Sequence, residues 1–181
     1  MSATTKANSG KKADYGLSQR AYTPHDHSHC IDRALLHAEE LCQSKGERLT
    51  TLRKQVLELV WDSHKPVGAY DVLAMMSKDK ERPIAPPTVY RALDFLLEHG
   101  LIHKLNSLNA YIGCQCPGRP HEGIFLICEQ CRTTRELDST AEIYALKNAA
   151  NQTGFLPKRI LVELTGLCPV CQSQQSAAKE Q

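Results

Sequence analysis

The sequence has no apolar run approaching the ~20 residues that a bilayer-spanning helix needs. Its first residues lack the roughly 7 to 15 residue apolar core of a secretory signal. Both absences lead us to expect a soluble bacterial protein kept in the reducing cytoplasm, with no membrane partner. A polybasic tract is also missing: Lys and Arg number four against two acidic residues over 1–30, eleven against eleven over 31–113, and seven against seven over 114–181. With a formal net charge of only +2, any grip on nucleic acid has to come from a few placed contacts rather than bulk attraction. There is no nucleophile-and-base arrangement, no phosphate-binding glycine loop and no HExxH. These gaps argue against an enzyme and against a small-molecule substrate.

What the chain does have is thiols. Eight cysteines among reduced thiols argue against a disulfide framework and for metal ligation or redox chemistry. Four of them form two knuckles, CEQC at Cys128 and Cys131 and CPVC at Cys168 and Cys171. Each knuckle can present two thiolates to one ion, and two knuckles complete the tetrahedral S₄ set typical of structural zinc. The competing reading is a redox CxxC, but that chemistry wants a single motif opening a helix with its thiolate exposed.

Hydrophobic periodicity organises the rest. Residues 1–29 are polar and aperiodic, which predicts a flexible tail. Ile31, Ala34, Leu35, Ala38, Leu41 and Cys42 then fall on one helical stripe ending at Gly46. A second helix follows a threonine cap and carries Leu52, Val56, Leu59 and Val60 inward; a third, AYDVLAMMSKD, turns in Val72, Leu73 and Met76. The fourth, PPTVYRALDFLLEHG, starts on prolines, buries Val89, Leu93, Leu96 and Leu97, and stops at Gly100. LIHKL and AYIGC then read as a hairpin. Helices closed by a hairpin describe a winged helix-turn-helix over residues 30–113. Beyond it, GIFLIC, TTREL and RILVELTGLC read as strands around the helix STAEIYALKNAANQTG, a small α/β domain over 114–173 followed by a frayed tail at 174–181. The expected fold class is therefore α+β.

His103, Cys114, Cys116 and His121 remain, all near the seam between the hairpin and the second domain. A metal there would be held by both domains, as a sensor requires. Here the sequence resembles a known family: TVYRALDFLLEHGLIHKL followed by CxxC and a later CxxC is similar to the ferric uptake regulator family of bacterial metal-dependent repressors, over roughly residues 31–172. Within that family it is most like the zinc-responsive branch. The resemblance implies a regulatory zinc site at His103, Cys114, His121 and Glu136, besides the structural zinc, hence two zinc ions per subunit. A donor set of two imidazoles, one thiolate and one carboxylate suits Zn²⁺ independently, whereas ferrous iron or manganese favours more oxygen and no thiolate. Iron- and peroxide-sensing relatives carry an HHDH-like cluster before the first knuckle, where this chain reads EGIFLIC. An iron-sensing regulator of the same family is the alternative, and a thiol redox protein a more distant one. Glu122 competes with Glu136 for the carboxylate position, and Cys116 is a replacement ligand, a redox-sensitive neighbour or a loop thiol.

In a helix-turn-helix, residues near the start of the second helix of the pair face base edges. That places Thr88, Tyr90 and Arg91 outward on helix four, with Arg91 able to contact guanine bidentately. The resemblance puts TVYR on the recognition helix and Tyr70 at the DNA surface; packing against helix four is the other role open to Tyr70. Arg48, Arg53, Lys54 and Lys104 are phosphate anchors or solvated charges. So few contacts imply a homodimer on two-fold symmetric double-stranded operator DNA, and RILVELTG offers a dimer edge. In the tail, His25, His27, His29 and Cys30 form a short His/Cys tract of the kind that can bind metal.

Overall fold

The computed structural model describes residues 21–22, 26–78, 83–117, 122–137 and 140–179. Helices α1 (Ser28–Ser44), α2 (Thr51–Trp61), α3 (Ala69–Ser77) and α4 (Pro86–Glu98) come first. The stripe anticipated on α1 buries Ala34, Ala38 and Cys42, with Ile31, Leu35 and Leu41 packed beside them. At the start of α2 the Thr50 hydroxyl accepts a hydrogen bond from the Arg53 N–H at 3.4 Å, satisfying one of the donors a helix start leaves orphaned. Pro86 and Pro87 open α4, where a missing N–H costs nothing. Its other end closes as a Schellman motif: Gly100 takes φ +64°, and the N–H groups of Gly100 and Leu101 donate to the carbonyls of Leu97 and Leu96 at 3.0 and 2.8 Å. Leu57, Val60, Val72, Leu93 and Leu96 sit at the centre of this helical core, none more than 1% exposed.

Against the helices lies an antiparallel sheet of β1 (Val67–Gly68), β2 (Ile102–Leu105) and β3 (Ala110–Gly113) in the order β1-β3-β2. The hairpin was expected; β1 was not, because two residues are too few to show alternation. Gly113 packs against the Trp61 indole so closely that a Cβ there would lie 2.2 Å from Trp61 Cε2. Gly113→Ala should therefore displace the indole and destabilise the protein by about 1–3 kcal/mol. A thermal melt reads this directly, and an unchanged midpoint would show that the backbone yields instead.

A second sheet holds β4 (Gly123–Cys128), β5 (Thr134–Leu137) and β6 (Leu161–Gly166), ordered β5-β4-β6. β4 pairs antiparallel with β5 and parallel with β6, the parallel return being made through α5 (Thr140–Gln152), and α6 (Pro169–Lys179) follows β6. Leu105 and Ile112 of the first sheet pack with Phe125 and Ile127 of the second. Two polar links cross the same seam. The Glu163 carboxylate accepts hydrogen bonds from the N–H groups of Asn106 and Ser107 at 2.7 and 3.1 Å and from the Ser107 hydroxyl, and the Thr134 N–H donates to the His64 carbonyl at 2.8 Å.

Both expected tails are corrected in part. Residues 174–179 continue α6 rather than fraying, because Gln, Ala and Lys are good helix formers and the first turn of α6 is anchored through the buried Cys171. Near the other end, Ala21 is buried and Tyr22 packs against Cys128, Cys168 and Cys171, so the segment before α1 is not uniformly solvated. Residues 1–20 lie outside the described residues. Among the described residues no helix is long and apolar enough to cross a membrane.

Candidate metal centres and nucleic-acid interface

The turn after β4 and the start of α6 bring the two knuckles together. One ligand atom from each of Cys128, Cys131, Cys168 and Cys171 lies within 4.8 Å of all the others, with Cys131 Sγ and Cys168 Sγ 3.7 Å apart. The Cys168 N–H donates to Cys128 Sγ at 3.4 Å. Burial opposes charge on Cys128, yet backbone N–H groups of Cys131, Cys168 and Gln130 outweigh it and hold the thiol down to about 6. Thr133 lowers Cys131 by hydrogen bonding. Burial and the three neighbouring sulfurs push Cys171 up to about 12, so the four groups resist carrying four negative charges together. A divalent cation resolves that conflict.

The pH sign follows from these positions. At neutral pH Cys128 is already largely thiolate, while Cys171 must shed a proton before it can ligate, so zinc uptake releases protons and apparent affinity falls as pH falls. Zinc titrated into chelator-stripped protein should acidify a weakly buffered indicator solution. No proton release would contradict thiolate ligation.

The second cluster lies in the seam. His103 on β2, Cys114 just after β3 and Glu136 on β5 have ligand atoms within 4.8 Å of one another, and His103 Nε2 is 3.5 Å from Glu136 Oε1. His103 is 8% exposed and Cys114 2%. Strand geometry explains the convergence. Glu136 stands opposite Phe125 in the ladder, and the Phe125 ring lies 5.1 Å from the His103 imidazole, filling the floor beneath it. The Gln115 N–H donates to Glu136 Oε2 at 3.5 Å. Glu122, the rival carboxylate, pairs instead with Lys147 at 2.8 Å. His121 lies outside the described residues. Cys116 is half-buried and belongs to none of the clusters found among the described residues.

A third cluster joins His27, Cys30 and His64. His27 and Cys30 were candidates from sequence. His29 is exposed and His25 lies outside the described residues. His64 was missed, since a single histidine in the polar loop after α2 carries no pattern.

On α4, Thr88, Tyr90 and Arg91 are exposed. Tyr70, 75% exposed at the start of α3, hydrogen bonds with Tyr90 through its side chain, so both roles anticipated for it meet on one surface. The four candidate anchors differ in how they are engaged. Arg53 Cζ stacks 3.3 Å over the Phe95 ring and its guanidinium donates to the Arg48 carbonyl. Lys54 pairs with Glu39. Lys104 Nζ lies 5.9 Å from the Tyr111 ring centre, and Arg48 is exposed.

Comparison with known proteins agrees with this arrangement. The sequence profile of the Ferric uptake regulator family matches residues 44–165. The zinc uptake regulation protein of Escherichia coli K12 is 36% identical over 138 residues, covering 76% of this chain and 80% of that one. Among solved structures, a zinc uptake regulator complexed with zinc and DNA has a TM-score of 0.75 at 33% identity, covering 81% of this chain and 97% of that one. Holo XcZur has a TM-score of 0.72 at 39% identity, covering 79% and 99%.

Proposed function

Because the chain belongs to the ferric uptake regulator family, we propose that it is a zinc-responsive transcriptional repressor of zinc-uptake genes, binding operator DNA as a homodimer in the bacterial cytoplasm. The observation that carries this reading is the seam cluster of His103, Cys114 and Glu136, whose donors come from both sheets and include a thiolate. His121 completes the set by sequence. Zinc, when bound, supplies a link between the winged-helix domain and the second domain, and a structural zinc in the four-cysteine site makes two per subunit.

The chain's own residues do the rest. His103 and Glu136 stand on strands of different sheets, so closing the site fixes the angle between those sheets. The hairpin β2–β3 serves as the wing and α4 as the recognition helix, with Tyr70, Thr88, Tyr90 and Arg91 toward the bases and Arg48 and Lys104 nearest the role of phosphate anchor. β6 ends its sheet and is the edge along which a second subunit adds. Linkage then requires that DNA tighten zinc by the factor by which zinc tightens DNA.

The test is an operator-binding titration at fixed salt against buffered free zinc, iron and manganese. Zinc should raise affinity by about 5- to 150-fold, the usual span of a coupling free energy, and Cys114→Ser should flatten the response. If affinity ignores zinc, or the serine variant responds normally, the sensory assignment is wrong.

A further inference from the structure

We propose that His27, Cys30 and His64 form a third zinc site that fastens the start of α1 across the seam. Their ligand atoms lie within 4.8 Å of one another. Cys30 is 2% exposed and both histidines are half-buried. His27 and Cys30 are three residues apart at the start of α1, a spacing that puts both on one helical face. His29 between them is exposed. The two imidazoles lie 4.8 Å apart at 58°, converging rather than stacking flat.

The donor set decides the metal. Two imidazoles and one thiolate are borderline-soft and suit Zn²⁺; a magnesium or calcium site needs oxygen ligands, and this cluster contributes none. Three protein ligands leave the fourth tetrahedral position to water or to a further residue, so this ion should exchange more readily than one held by four thiolates.

Its position gives it a structural consequence. His64 follows α2, and its carbonyl accepts the Thr134 N–H at 2.8 Å. Thr134 is fully buried on β5, two residues before Glu136. Upstream of His27, Tyr22 packs against the four-cysteine cluster. The third ion therefore ties α1 to a loop that already holds β5, the strand that supplies a ligand to the seam cluster.

The experiment counts zinc in the full chain after equilibration with zinc and removal of the excess, with no DNA present. Wild type should retain about three ions per chain and His64→Gln about two, one fewer for the lost site. His27→Gln should match His64→Gln, and both residues are exposed enough to change without opening the core. In a Cys114→Ser background, cobalt(II) should give a thiolate charge-transfer band that disappears on adding Cys30→Ala. If that last variant does not fold, the two histidine variants still decide the question. About two zinc ions in wild type, with none lost in His64→Gln, overturns the site. Because no operator enters the measurement, that result would leave the repressor reading standing, and a failed DNA titration would leave this one standing.

Discussion

Replacing Cys168 by serine is expected to unfold the C-terminal part of the protein while leaving the α1–α4 core intact. The knuckles lie at the end of β4 and the start of α6, so their metal closes the second sheet and its helix into one loop. A structural zinc contributes about 10–16 kcal/mol of binding free energy, as much as the whole stability of a typical domain at about 5–15 kcal/mol. The sheet itself is small, and Ile143 is the one buried side chain of α5, which leaves little to compensate. A serine hydroxyl does not replace the thiolate, so amide signals from β4 to α6 should collapse while those of the helical core, built on Leu57, Leu93 and Leu96, persist. A fully folded, zinc-free Cys168→Ser protein would show that apolar packing alone holds this part.

The second large effect is expected at Arg91. It is exposed on α4, and a bidentate guanine contact is worth about 1–3 kcal/mol of discrimination. A symmetric dimer makes that contact twice, so Arg91→Ala should cost about 2–6 kcal/mol, roughly thirty-fold to ten-thousand-fold in operator affinity. Specificity and affinity should fall together, with non-specific binding little changed. Arg48→Ala should instead weaken binding to all sequences and reduce the salt slope by about 1. If Arg91→Ala lowers only the salt slope, the residue is a phosphate anchor and α4 reads bases through other side chains.

Much of this was legible because the signals are local. The stripes of α1, α2 and α4 announce their buried faces, and a doubled CxxC announces a metal within one chain segment and its echo. Where long-range geometry decides, the sequence is silent. His64 gains meaning only when the loop after α2 comes back to the start of α1. Arg53 reads as a free cation until Phe95 is found beneath it. Glu122 and Glu136 are equivalent on paper, and the ion pair of Glu122 with Lys147 separates them. The C-terminal helix escaped because its polar residues carry no apolar stripe, its order resting on the cysteine at its root.

Glu163 gives β6 a double duty. On one face Leu161 packs toward the cluster between the sheets and Glu163 clasps the hairpin turn at Asn106 and Ser107; on the other, Leu164 is half exposed at the margin of the sheet. A strand that docks a second subunit along its margin while gripping the hairpin by its tip acts as a crossbeam. Tilting one subunit against the other then moves both wings at once, and the spacing between half-sites is set at the same residue that anchors each wing.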